Sequence, residues 1–395
     1  MQSFPGEANV QKLPTRHRLF AALLLTLATS AAQAQMKIGV IASSTGPTAV
    51  VGIPQKNTAA LLPKKIGAID MEYIVYDDAS DPTQSVVLVK KLLTEDNVDA
   101  IIGPSGSPNA MGTIQFIAES KTPMLAPVGT PAVVLPMDAQ KAWVFKTTQN
   151  DDLISQAIVS HMAKHGVKTV GFIGFSDAYG ESWYRTFVPM AEKAGIKLVA
   201  SERYTRSDQS VLGQAAKIIA ASPDAVLVGA AGGGTVLPHT TLVERGYKGQ
   251  IYQTHGAATP DFVRLGGKSV DGAVMAASLM LVIDQVPDSN PAKKVALDYI
   301  AAYEKAYPGT KFSTFGANVY DAGLLLQKAV PEAAKRGKPG TPEFRSALRD
   351  ALEQTKELVG TQGVYTMTAA DHSGFDKRGR ELMQLRDGKW MLIPE

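Results

Sequence analysis

The chain has 395 residues, of which 45% are hydrophobic and 19% charged, which is the composition of a folded globular protein. Its 40 Lys and Arg against 37 Asp and Glu leave a formal charge of +3, which is too small to favour nucleic-acid binding. The absence of cysteine excludes disulfides, thiolate metal sites, a cysteine nucleophile and a lipid-modified N-terminal cysteine. A chain of this length is longer than a single hydrophobic core usually supports, so we expect at least two domains.

The N-terminal segment has the three parts of a secretory signal. A basic segment at 16–18 precedes the mostly apolar run 19–28, and the small residues Ala32 and Ala34 form an A-x-A site. The run is shorter than the ~20 apolar residues that an ordinary membrane-spanning helix needs. We therefore expect residues 1–34 to be a signal peptide, cleaved after Ala34, and the mature protein to be periplasmic.

Strand-like and helix-like segments alternate along the rest of the chain. The predicted strands are 37–42, 71–77, 100–103, 123–126, 144–147, 169–175, 197–204, 225–229 and 250–254, and the main predicted helices are 51–63, 83–93, 151–165, 291–307, 320–335 and 342–355. Strands that alternate with helices indicate a parallel, doubly wound α/β fold. Continuous apolar runs such as VGFIGF are typical of strands buried on both faces.

The alternation has a seam near residue 148, where one series of strands ends and a second begins. Two successive open sheets predict two lobes with a cleft between them. The later helices and the β-like tail must return to these lobes, because the tail is too short to be a domain. We predict a first lobe of 35–148 plus 279–357 and a second lobe of 149–278 plus 358–395.

The loops that follow the strands are where a ligand should bind, because open parallel sheets bind ligands at the carboxyl ends of their strands. In the first lobe, the loops 103–108 and 127–131 each place a hydroxyl residue, Ser107 or Thr130, directly before proline. This pattern predicts two helix starts with a hydroxyl N-cap. Two neighbouring helix ends would form a cradle for a carboxylate, although two ordinary capped helices remain the alternative.

The second lobe offers three loops of the same kind, at 175–180, 229–234 and 253–256. The first places an aromatic residue, Tyr179, at the edge of the cleft. The second is rich in glycine, which allows a ligand to approach the backbone closely.

Several segments, in order along the chain, resemble one protein family. The segments KIGVIASSTGPTAVVG, YDDASDPTQSVVLVKKLLTEDNVDAIIGPSGS and GFIGFSDAYGES are similar to those of branched-chain amino-acid-type periplasmic binding proteins of ABC transporters. The resemblance extends over essentially the whole mature chain. It implies a type I periplasmic-binding fold, in which two lobes are joined by three crossings and a hinge closes on the ligand.

The resemblance also implies a set of ligand-binding residues. The family's carboxylate site matches Ser107, Gly129 and Thr130, and its second-lobe aromatic residue matches Tyr179. Phe315 is a weaker match for an apolar wall. The remaining predicted ligand-binding residues lie in the same loops: Ser105, Gly106 and Ala231.

Two residues depart from the family pattern. Val51 stands where an amino-acid binder often has tyrosine, and His255 stands where the family places an acidic partner for the ligand's α-ammonium group. A neutral histidine is a poorer partner for a cation, and a protonated one repels it. We therefore hypothesise a carboxylate ligand without the amino group, such as an aromatic or aliphatic acid. The alternatives are that Asp177, Glu181 or Asp321 supplies the charge, or that the match slips by a few residues at His255.

Enzyme motifs are incomplete in this chain. It lacks G-x-S-x-G and G-x-G-x-x-G, and His161 and His165 have the spacing of zinc ligands without the glutamate that a zincin needs. We predict no enzyme activity, no cofactor and no metal. The predicted function is a monomeric solute-binding protein that delivers a small carboxylate to ABC transporter permease subunits. An exported ligand-sensing subunit for a membrane receptor or kinase, and an enzyme built on this fold, are the alternatives.

Overall fold

The computed structural model describes Met1 and residues 35–394, so the predicted signal peptide lies outside the described residues. The first of two main sheets consists of β1 (Gln35–Ile41), β2 (Lys65–Ile66), β3 (Ile69–Tyr76), β4 (Ala100–Ile102), β5 (Met124–Ala126) and β6 (Val144–Lys146). The helices between these strands are α1 (Ala49–Ala59), α2 (Pro82–Thr94) and α3 (Ser107–Ser120).

The second sheet begins after the helix α4 (Asp151–Lys164). Its parallel strands are β7 (Thr169–Phe175), β8 (Lys197–Tyr204), β9 (Ala225–Gly229), β10 (Gln250–Gln253) and β11 (Val274–Ala277). The helices between them are α5 (Ala178–Lys193), α6 (Leu212–Ala220), α7 (Val236–Glu244) and α8 (Pro260–Gly266).

The last part of the chain adds three helices and two antiparallel pairs of strands. The helices are α9 (Pro291–Ala306), α10 (Thr314–Ala333) and α11 (Pro342–Glu353). The strands β12 (Leu358–Val359) and β13 (Val364–Tyr365) pair with each other, and β14 (Glu381–Arg386) and β15 (Lys389–Leu392) extend the second sheet. The prediction of a two-sheet α/β fold is confirmed, with this antiparallel edge as an addition that the alternating pattern did not indicate.

The strand order of each sheet fixes where loops from different strands meet. The order is β2-β3-β1-β4-β5-β6 in the first sheet and β15-β14-β11-β10-β9-β7-β8 in the second. The order in which successive strands are added to the sheet therefore reverses between β1 and β4 and again between β7 and β9, although these strands are parallel. Such switch points open a crevice at the carboxyl ends of the strands, where ligands bind in open α/β sheets.

Three crossings connect the two sheets. The chain passes from β6 into α4, returns after β11 to α10, whose Leu325 and Leu326 are buried with the first sheet, and crosses again before β14. The predicted lobe boundaries remain a prediction. Tyr365 and Met367 lie in the core beside the first sheet, which favours moving 364–367 from the predicted second lobe to the first.

Two local predictions are wrong. The strand β5 is followed by a three-residue 3-10 turn, Pro131–Val133, rather than by an α-helix. The helix predicted to begin at residue 320 begins at Thr314, because the Ser313 hydroxyl accepts a hydrogen bond from the Phe315 amide and caps the helix earlier. Within the described part of the chain, no helix is long and apolar enough to cross a membrane.

Candidate functional site

A cavity lies where the carboxyl ends of both sheets face each other. Its empty volume is about 400 Å³, counting the open mouth. It is lined by Thr48, Val51, Ser105, Gly106, Ser107, Pro127, Val128, Gly129, Thr148, Tyr179, Arg206, Ala231, His255, Gly256, Phe315 and Asn318. The cavity therefore collects loops from both sheets and the first turn of α10.

The structure brings the predicted ligand-binding residues together, with one exception. Ser105, Gly106, Ser107, Gly129, Tyr179, Ala231, His255 and Phe315 all line the cavity. Thr130 does not, because its hydroxyl accepts a hydrogen bond from the Ala132 amide at 3.2 Å and its carbonyl accepts one from Lys146 at 3.3 Å. The part that all of these predicted residues play in ligand binding remains a prediction.

The first turn of α3 presents free hydrogen-bond donors at the cavity. Gly106 is the N-cap and makes no side-chain cap, so Ser107 lies inside the first turn and is not the N-cap that the sequence predicted. The Ser107 hydroxyl is buried and has no hydrogen-bond partner among the described residues. The amide groups of Gly106 and Ser107 also donate to no partner in that part of the chain. An uncapped helix start of this kind attracts an anion.

The loop after β5 presents a second group of donors. The amide groups of Gly129 and Thr130 are buried and donate to no partner within residues 35–394. The helix end predicted here is absent, since only the short turn Pro131–Val133 follows. The site thus combines one helix start with one loop, where the sequence predicted two helix starts.

Ser105 supports the site without a free hydroxyl. Its hydroxyl donates to Gln55 Oε1 at 2.5 Å and accepts from the Ser43 amide at 2.9 Å. These bonds tie the loop after β4 to α1 and to the loop after β1. We infer that Ser105 holds the neighbouring donors in place.

Tyr179 and His255 form the wall contributed by the second sheet. The Tyr179 hydroxyl is 3.0 Å from Thr254 Oγ1, and Thr254 donates to the Ala230 carbonyl at 2.6 Å, so the loops are fixed to one another. Burial, with a smaller effect from Lys146, lowers the pKa of His255 to about 3. The imidazole is therefore neutral at pH 7, and its Nδ1 has no hydrogen-bond partner among the described residues.

The lining residues carry no carboxylate. The three acidic residues that the sequence analysis named as alternative partners for an ammonium group are engaged elsewhere. Asp177 binds Arg206 at 2.6 Å and caps α5, and Glu181 binds Arg203 at 2.5 Å. Asp321 accepts from the Thr361 amide at 2.7 Å and from Tyr365 at 2.9 Å.

Arg206 is the cation among the lining residues, and the sequence analysis did not identify it. Its Nε donates to Asp177, and the guanidinium lies 4.3 Å from the ring centroid of Phe175. It follows β8 in a polar stretch without a motif, so only the strand-end rule could have found it. Thr48 and Thr148 also lie in loops after strands and were missed, as was Asn318, which lies in the second turn of α10 and which no strand-end rule could have found.

The comparisons with known proteins agree with this architecture. Residues 35–389 match the periplasmic binding protein family. The chain belongs to this family. Together with Leu/Ile/Val-binding relatives, this match confirms the resemblance to branched-chain amino-acid-type periplasmic binding proteins, and the family is one of binding proteins rather than enzymes.

Three known proteins are similar to this periplasmic binding protein over most of their length. The Leu/Ile/Val-binding protein homolog 3 of Brucella melitensis is 24% identical over 367 residues, which cover 91% of this chain and 94% of the relative. An extracellular ligand-binding receptor from Rhodopseudomonas palustris HaA2 is 44% identical, with a TM-score of 0.89 over 91% of this chain and 100% of its own. A solute-binding protein of an ABC transporter from R. palustris, in complex with benzoate, has a TM-score of 0.77 and 21% identity over 91% of this chain and 95% of its own. At that identity, the last comparison shows the fold alone.

Buried histidines should make this periplasmic binding protein sensitive to acid. Burial lowers the pKa of His161 and His239 to about 4 and that of His255 to about 3. These pKa values lie below those of the same histidines in the unfolded chain, so the unfolded state takes up protons first as the pH falls. Each histidine therefore lowers the free energy of unfolding by about 1.4 kcal/mol for every pH unit between pH ~6.5 and its folded-state pKa. We expect the melting temperature to fall between pH 7 and 4.5. The fall should be smaller in His239→Gln, and an equal fall in both proteins would contradict this assignment.

Proposed function

We propose that this protein is the exported solute-binding component of an ABC importer and that it captures a small carboxylate without an α-amino group. The predicted signal at 1–34 supports export to the periplasm, and the family supports solute capture. The bound form would dock as a monomer on permease subunits in the membrane.

One observation carries the proposal: buried donors surround a cavity that has no acidic side chain. The donors are the Ser107 hydroxyl and the amides of Gly106, Ser107, Gly129 and Thr130. A buried donor without a partner is unfavourable by about 1–3 kcal/mol, so native proteins rarely leave one unpaired. A ligand carboxylate offers several acceptor positions at once and would satisfy this group.

The same cavity disfavours an amino acid. Its lining provides neutral His255 and cationic Arg206, and neither stabilises an ammonium group. Glu181 and Asp177 are paired with Arg203 and Arg206, and Asp151 and Asp321 are not among the lining residues. An aromatic or aliphatic acid without the amine fits these charges. Benzoate belongs in the test panel because a structural relative holds it.

Closure of the lobes follows from where the lining residues sit. Ser107 and Gly129 would hold the carboxylate on the first sheet, and Tyr179, Ala231 and His255 would reach the ligand from the second. A ligand that contacts both lobes favours the closed form over the open one.

Deletion of the gene should abolish uptake of the labelled acid by the cell, and unchanged uptake would argue against the importer.

Ser107→Ala is expected to weaken binding of the acid. A hydrogen bond to a charged group contributes about 1.5–3 kcal/mol, which corresponds to about 10- to 100-fold in affinity. Titration calorimetry on the refolded protein measures this change. Ser155→Ala is a matched control, because the Ser155 hydroxyl is also buried and unpartnered among the described residues but lines neither the main cavity nor the pocket beside it. Equal affinity of Ser107→Ala and the wild type would remove Ser107 from the site.

A further inference from the structure

A lysine lies buried directly behind the loop that lines the carboxylate site. Lys146 is the last residue of β6 and has 0% of its surface exposed. Its Nζ donates to the Gly129 carbonyl and to Asn150 Oδ1, both at 2.6 Å. Longer contacts reach the carbonyls of Thr130 at 3.3 Å and Gln149 at 3.4 Å. Lys146 therefore joins the ligand loop to the first crossing between the lobes.

All four acceptors of Lys146 are neutral oxygens. Among the described residues, Lys146 makes no ion pair, and the charge that acts on it most strongly is that of Asp151. Asp151 is itself buried, accepts from the Ser182 hydroxyl at 2.6 Å through Oδ2, and leaves Oδ1 without a partner in residues 35–394. Burial lowers the pKa of Lys146 and raises that of Asp151. A buried cation without a paired carboxylate is costly unless another anion approaches it.

The peptide between Gly129 and Thr130 connects this cation to the cavity. In a trans peptide, the carbonyl and the N–H point in opposite directions. The only cis peptides in the described residues are at Pro104 and Pro136, so this peptide is trans. Because the Gly129 carbonyl points at Lys146, the Thr130 N–H points away from it. That N–H has no partner in the described chain, and it belongs to the same peptide as Gly129, which lines the cavity.

We propose that Lys146 is the buried positive charge that makes this site selective for an anionic head group, acting through the Gly129–Thr130 peptide. It is a positioning residue, since it lies outside the cavity lining. It orients the amide that meets the carboxylate and supplies a positive potential behind it. This inference rests on the proposed function, and it explains how a site whose lining cation, Arg206, is already paired with Asp177 holds an acid. A purely structural tie between loop and hinge would affect charged and neutral ligands alike.

The absence of cysteine from the chain allows a direct test. In Lys146→Cys, the new thiol is the only one and can be alkylated in denaturant before the protein is refolded. Bromoethylamine gives a side chain with the shape and charge of lysine, and iodopropane gives a neutral side chain of the same length. The wild type, carried through the same treatment, is the control for refolding. The probes are benzoate, cinnamate and 4-methyl-2-oxopentanoate, each paired with its primary amide.

The two alkylated proteins should differ in one respect. The aminoethyl form should bind the acid that the wild type binds best, and the propyl form should bind it about tenfold more weakly or worse, while affinity for the amide is similar in both. Equal affinity of the two forms for the acid overturns the role of the Lys146 charge and leaves the proposed function intact. If the refolded wild type binds only amides or amino acids, the proposed function fails and this inference fails with it.

A second measurement needs no change at Lys146. Burial lowers the pKa of Lys146, and the carboxylates whose charges act against this effect are Asp151, Asp152 and Asp371. As the pH of the wild type rises from ~7.5 to ~9.5, Lys146 loses its proton while the carboxylate probes stay ionised, so we expect acid binding to weaken about tenfold and amide binding to stay unchanged. Acid affinity that stays constant over this range would contradict the proposal, including in the case where the alkylated forms do not refold.

Discussion

Gly129→Ala is expected to weaken binding of the ligand about 10- to 100-fold, because added volume in a packed site is unfavourable by about 1–3 kcal/mol. A Cβ at this position would lie 2.8 Å from Asp151 Oδ1 and 3.0 Å from His255 Nε2. Gly129 lies in the loop after β5 of the first sheet, while Asp151 and His255 belong to elements that pack with the second sheet. The methyl group would therefore hold the lobes apart at the ligand loop.

A second glycine serves as the control that separates the steric effect at Gly129 from a general effect of replacing glycine by alanine. Gly213 lies in α6, has no heavy atom within 4 Å of the position of an added Cβ, and has an ordinary backbone conformation. Gly213→Ala should leave affinity unchanged and leave the melting temperature equal or slightly higher, since alanine favours a helix by about 1 kcal/mol over glycine. Calorimetry on both variants is the measurement. Wild-type affinity in Gly129→Ala would show that the lobes do not close at Gly129 as described.

His255→Glu is expected to have a still larger effect on acid binding. It places a carboxylate in the cavity wall, where the structure has a neutral, buried imidazole. Two like charges 4 Å apart repel by about 4 kcal/mol at the effective dielectric of a protein surface, which corresponds to about 1,000-fold in affinity. A glutamate here would also restore the acidic partner that the family uses for an α-ammonium group. The variant should therefore lose the acid and bind the corresponding amino acid better than the wild type does.

His255→Gln is the control for this change, because it alters the side chain without adding charge. We expect its acid affinity to stay within about tenfold of the wild type, as one neutral hydrogen bond contributes about 0.5–1.5 kcal/mol. If His255→Glu binds the acid as tightly as the wild type does, the side chain at position 255 does not face the ligand.

Most of the lining could be predicted because it depends on two rules that the sequence makes visible. Buried parallel strands are continuous apolar runs, so their ends can be located, and ligands bind at the carboxyl ends of such strands. Ser107, Gly129, Tyr179 and His255 all follow predicted strands directly. The predicted N-cap at Thr130 is confirmed, but the hydroxyl caps only the short turn Pro131–Val133 and Thr130 does not line the cavity, which depends on backbone geometry that residue types do not specify.

The features that escaped prediction depend on contacts between distant segments. Lys146 lies next to the end of the predicted strand 144–147, where a lysine is usually exposed, but its Nζ is bound by the loop after β5 and by the first crossing. Arg206 stands in a polar stretch, and only the fold brings it to the cavity. The antiparallel strands β14 and β15 lie in a tail whose pairing partner, β11, is more than 100 residues earlier.

Titration calorimetry on the mature protein from Gln35, refolded to remove co-purified ligand, tests the central claim most directly. The panel pairs Leu, Val, Ile and Phe with their 2-keto acids and adds benzoate, hydroxycinnamates and short dicarboxylates. The buried donors and the lining without carboxylates predict about micromolar or tighter binding of an acid that lacks the amine, with the amino acid rejected. Tight binding of an amino acid, with its deaminated analogue rejected, would contradict the account.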